Sequence, residues 1–124
     1  MNYKLALSLK DAGFPQDPFW QVDVNAWGGS WYYLAQKEAC AANVFCTPDE
    51  YRNGLDRGDE LIKIPSLSEL IEACGADFAY LAKADDGREW KASAYHYDRH
   101  MIDEAVGQTS ESAVARLWIA LQNK

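Results

Sequence analysis

The two histidines of the chain flank its densest run of reactive side chains, His96-Tyr97-Asp98-Arg99-His100. At i and i+4 the imidazoles share one face of a helix, and on a strand His96, Asp98 and His100 share a face as well. Two imidazoles and a carboxylate form a donor set suited to Zn²⁺ or Fe²⁺. Glu104, four residues on, adds a ligand if a helix continues. A tight site also needs further ligands held by rigid neighbours. A metal-binding protein or small metal-dependent enzyme built on His96, Asp98 and His100 is one reading of this run. The other is an exposed polar connection following a hairpin. A divalent metal is the only cofactor the sequence points to, and no residue stands out as catalytic.

Other reactive groups are dispersed. The three cysteines, Cys40, Cys46 and Cys74, are odd in number and lack C-x-x-C spacing. Cys74 falls on the apolar face of a predicted helix. Cys46 precedes a helix start, where the dipole lowers a thiol pKa, and a dyad with His96 or His100 would follow if the fold joined them. Trp27-Gly28-Gly29-Ser30-Trp31 lacks the lysine and following helix of a phosphate loop. It reads as a stacking site for a base or sugar between Trp27 and Trp31, or as a Gly-Gly turn between core aromatics. Asp56-Arg57-Gly58-Asp59 lacks the register of a calcium loop. Asp56 and Asp59 are candidate binding residues on an acidic, solvated surface.

The elements that must position these groups are most legible around YLAKADDGREWKASA, residues 80–94. Phe78–Lys83 sets large apolar residues on alternate positions, and Asp85-Asp86-Gly87 supplies turn chemistry. In the second arm Trp90, Ala92 and Ala94 share one face, with Lys91, Ser93 and Tyr95 on the other. Ser66-Leu67-Ser68-Glu69 is a capping box opening a helix over Leu67–Cys74, with Gly75 to end it. Thr109 caps a last helix running to about Gln122, with Val114, Leu117, Trp118 and Leu121 as its stripe. A first helix spans residues 3–12 and is stopped by Gly13 and Pro15, with Phe14 folding back onto it. Residues 31–36, 44–46 and 60–64 read as extended. Thr47-Pro48-Asp49-Glu50 opens a helix, but YRNGLDRGDE is so polar and glycine-rich that an exposed loop with at most one helical turn is expected. The stretch DRHMIDEAVGQ reads as a polar connection. Residues 15–30 are expected to form a loop laid across the core. The sum is an α+β fold, an antiparallel sheet of about three to five strands packed on two or three helices, with residues 1–124 as a single globular domain.

The balance of 19 acidic against 12 basic groups gives a net charge of −7. A phosphate backbone and an anionic membrane surface both reward clustered Lys and Arg, so neither direct nucleic-acid binding nor membrane binding is expected. With no export signal at the amino terminus and no run of about 20 apolar residues, a cytoplasmic protein with reduced thiols is expected. Aromatic content (five Trp, seven Tyr and four Phe) exceeds what two small helix faces require.

Together, PSLSELIEACG (65–75), a strand pair with Trp90 in its second arm, and the T-x-E-x-A-V-A-R-L-W-x-A-L pattern at 109–121 resemble a family of small uncharacterised phage and prophage proteins. The opening KLALSLKDAGFPQ fits the same family. The likeness covers about half the chain and carries structural residues only, so it implies no activity. A second likeness is to HicB-type antitoxins, through Asp85-Asp86-Gly87, Trp90 and the 109–121 helix, but no DNA-binding extension is recognisable in these residues and the chain is not basic. With no catalytic motif, an acidic net charge, an excess of aromatics and the phage-family resemblance, a non-enzymatic phage or prophage accessory protein binding a host or phage protein is expected, with an anti-defence or host-takeover inhibitor as its concrete form. A small-molecule or antitoxin-like binding module is a further alternative.

Overall fold

A computed structural model describes residues 1–18, 29–35, 42–96 and 101–123. The fold is α+β, with four α-helices and two three-stranded antiparallel sheets among the described residues. Contacts group the chain into two compact units, Asn2–Pro65 and Ser66–Lys124 together with Met1. Among the described residues no helix is long and apolar enough to cross a membrane.

The first unit opens with α1 (Tyr3–Asp11), capped by the Asn2 side chain accepting from the Leu5 amide. Gly13 takes a φ of 96° just past the helix, and Phe14 turns back so that its amide donates to the Leu9 carbonyl and its ring is buried. Strands β1 (Ser30–Ala35), β2 (Ala42–Cys46) and β3 (Glu60–Ile64) form a sheet in the order β2-β1-β3. Period-two alternation separates its faces. Tyr32, Leu34, Val44, Cys46 and Leu61 share one, and Trp31, Tyr33, Phe45 and Ile62 the other. Tyr3 of α1 meets Tyr33 edge-on on the second face, with ring centroids 5.5 Å apart.

The first face carries α2 (Pro48–Asp56). The cap at Thr47 is the expected one, but the element is a helix of nine residues, not a loop with a single turn. Tertiary packing overrides its polar composition. Tyr51 stacks on Tyr32 at 4.9 Å, and Gly54 lets Leu61 approach so closely that a Cβ there would sit 3.0 Å from Leu61 Cδ1. The segment after α1 is tied to the same sheet. Tyr32 Oη donates to the Gln16 carbonyl, Lys63 Nζ to the Asp17 carbonyl, and the Lys63 amide to Gln16 Oε1. The expectation of a loop across the core thus holds for residues 16 and 17, while 19–28 lie outside the described residues.

The second unit runs α3 (Leu67–Cys74), a 3₁₀ turn (Gly75–Asp77), β4 (Phe78–Lys83), β5 (Trp90–His96), β6 (Met101–Gly107) and α4 (Ser110–Gln122). Both helix starts are capped as their sequences predict, by Ser66 accepting from the Glu69 amide and by Thr109 accepting from the Ser112 amide. In the β4–β5 turn Gly87 takes a φ of 70°, and Asp86 Oδ1 accepts from the Arg88 and Glu89 amides. Those two bonds hold the Asp86 carboxyl below its ordinary range.

One correction reshapes this unit. Met101–Gly107, read as a polar connection, is a third strand paired along β5. Its acidic residues mask the alternation: Asp103 and Ala105 face one way, Ile102, Glu104 and Val106 the other. A second correction concerns β4. A register shift between Phe78 and Tyr80 puts Phe78 opposite Ala94 and Tyr80 opposite Ser93, so the two rings leave opposite faces. A bulge does this by inserting one residue into the alternation.

Helix α4 packs against β5, β6 and α3. In the sheet face beneath it Ala92 and Ala94 are fully buried. Gly107 is needed where α4 begins, since a Cβ there would overlap Ser112 Oγ and lie 2.6 Å from the Ala113 nitrogen. Leu70, Val114, Leu117 and Trp118 complete this core.

Candidate functional site

The β4-β5-β6 sheet has two chemically different faces, and each carries a feature of interest. On the helix-covered face sits His96, the last residue of β5, with a side chain only 8% exposed. Its Nδ1 lies 3.0 Å from Asp77 Oδ2 and its Nε2 lies 2.7 Å from Asp103 Oδ2. Asp77 arrives from the 3₁₀ turn after α3, and Asp103 from β6, diagonally across the ladder. A neutral imidazole has one donor and one acceptor, so only a ring with both N–H groups present donates to both carboxylates. The geometry gives His96 a joining role, linking the 3₁₀ turn, β5 and β6 through hydrogen bonds on both ring nitrogens.

Of the predicted metal set, His96 is the described member, and Asp98 and His100 lie outside the described residues. Glu104 does not extend a helical ligand set. It lies on a strand and pairs with Lys91 at 3.2 Å on the opposite face from His96. Among the described residues no group of three or more His, Cys, Asp or Glu side chains is placed to hold a metal ion.

The opposite face of the same sheet points outward. Tyr80 from β4, Lys91, Ser93 and Tyr95 from β5, and Ile102, Glu104 and Val106 from β6 all leave on this side. Ile102 is 62% exposed, Tyr80 46% and Val106 45%. The Lys91–Glu104 ion pair crosses the face between these apolar groups. Its hydrogen bond, reinforced by the Glu104 charge, holds the Lys91 ammonium above its ordinary pKa. Beneath them Ser93 is buried, and its hydroxyl has no hydrogen-bond partner among the described residues. An orphan buried hydroxyl is costly and calls for a reason. Sequence reasoning missed this face because β6 was missed. The available signal was the Ile102, Glu104, Val106 alternation.

The remaining sequence candidates sit in the first unit. Trp31 is 53% exposed and meets Phe45 edge-on at 5.5 Å. Its proposed stacking partner Trp27 lies outside the described residues. Asp56 ends α2, and Asp59 accepts from Arg57 Nη2 at 3.1 Å. Cys46 and Cys74 are free and buried, on different units, and burial raises both thiols, Cys74 to about 11. Neither thiol is therefore primed as a nucleophile. Comparison of the chain with protein-family models, with curated proteins and with solved structures gave no match.

Proposed function

We propose that the chain is a non-enzymatic accessory protein that binds a protein partner through the outward face of the β4-β5-β6 sheet. The observation behind this reading is the exposed group of Tyr80, Ile102 and Val106 around the Lys91–Glu104 pair. Apolar and aromatic side chains gathered on one exposed face, with charges placed among them, are the usual makings of an interface core. The backbone beneath them is held by α4 and by the His96 bonds, so little ordering entropy opposes docking. A net charge of −7 favours a partner with a basic surface, chiefly through the rate of encounter. The resemblance to phage and prophage proteins makes a host factor the natural target, and inhibition of a defence or housekeeping activity the natural outcome.

Affinity capture from host lysate at physiological salt tests this, using the wild-type chain beside Ile102→Asp and Val106→Asp. Both positions are exposed, so thermal stability should stay close to wild type. A partner retained by the wild type and lost by both variants supports the reading. Capture of the same proteins by all three chains, or of none, removes it.

A further inference from the structure

The first unit holds a cavity of about 270 Å³ where α2 lies over the sheet. Leu34, Val44 and Leu61, one from each strand, give it an apolar wall. Its polar rim comes from one face of α2 and the turn after it. Glu50, Asn53 and Arg57 recur at helical spacing, and Asp59 follows, its amide bonded to the Gly54 carbonyl. Gly54 in the same wall lets the helix backbone close onto Leu61.

The rim is unbalanced in charge. Among the described residues two carboxylates, Glu50 and Asp59, line it with one guanidinium, Arg57; Arg57 is bonded to Asp59, and Glu50 Oε1 accepts from Thr47 Oγ1. Cys46 in the cavity wall registers the same field. Burial raises its thiol first, Glu50 raises it further, Arg57 opposes, and Asp59 adds to the rise. The volume falls just short of the usual range for drug-sized ligands, so the cavity suits a group about as large as one side chain. An anion would meet Glu50 and Asp59, while a cation would answer the excess of negative charge that remains beside the Arg57–Asp59 pair and the Thr47–Glu50 bond.

We propose that this cavity takes an alkylammonium or alkylguanidinium group. The apolar stem lies along Leu34, Val44 and Leu61, and the cation sits between Glu50 and Asp59, competing with Arg57 for Asp59. A free aliphatic amine and a lysine or arginine side chain on a peptide share this chemistry.

Amide chemical shifts of the full chain, titrated with n-pentylammonium, with a short lysine-containing peptide capped at both ends, and with pentanoate, test the proposal. Either cation should give saturable shifts at Gly54 and Leu61 where pentanoate gives none. The tighter of the two cations identifies the source. Glu50→Gln should weaken binding about two- to five-fold, the range of one exposed ion pair. Arg57→Gln removes the internal competitor and should strengthen binding by a similar factor. Equal response to pentanoate, no saturable shift with either cation, or weaker binding in Arg57→Gln would overturn it.

Discussion

His96 and Asp103 face each other diagonally across neighbouring strands, Nε2 to Oδ2, at 2.7 Å. The contact places the residue that sequence patterns single out for metal chemistry into a structural bond, with Asp77 on the other ring nitrogen. In the same register Tyr95, Ile102 and Glu104 leave on the opposite, outward face.

The two carboxylates should not be equivalent. The Asp103 side chain is 14% exposed and that of Asp77 48%. Loss of a charged hydrogen bond costs most where water cannot replace it. Asp103→Asn should lower unfolding free energy by about 1.5–3 kcal/mol, and Asp77→Asn by less than about 1 kcal/mol. Urea denaturation of the two variants decides the matter, and equal losses would refute the ranking.

Ser93 offers a change of opposite sign. Its hydroxyl is buried without a partner among the described residues, so Ser93→Ala removes a desolvated polar atom and leaves no hole larger than that atom. The free protein should gain about 0.5–1 kcal/mol. A clear loss of stability in thermal denaturation would mean that the hydroxyl is bonded in solution.

Alkaline pH should weaken the second unit through Cys74. Burial lifts its thiol from 9.0 to about 11. A raised folded pKa favours the neutral form, so the contribution is whole below the unfolded value. It is lost as pH climbs from about 9 to about 11. Cys46, Tyr33, Tyr51 and Lys91 are also raised and push the same way, so a difference measurement is needed. Between about pH 8.5 and pH 10.5, Cys74→Val should show a smaller fall in Tm than the wild type. Parallel curves for the two proteins would contradict this.

Local sequence was sufficient for the punctuated elements. Ser66 and Gly75 bound α3, Thr109 starts α4, and Asp86-Gly87 turns the β4–β5 hairpin, each through bonds between residues a few positions apart. The cap at Thr47 was legible for the same reason, but the length of α2 was not. That helix persists because Tyr51 finds Tyr32 and Gly54 finds Leu61, contacts that no local pattern records. β6 was hidden because Asp103 breaks its apolar face, and the reason for an inward carboxylate, His96, belongs to another strand. The bulge between Phe78 and Tyr80 likewise sends to opposite faces two rings that strict alternation places together. Caps, turns and helix stripes are short-range chemistry and can be read from the chain in order. The pairing of β6, the bonding of His96, the exposed sheet face and the cavity under α2 arise between distant residues, and only the tertiary structure decides them.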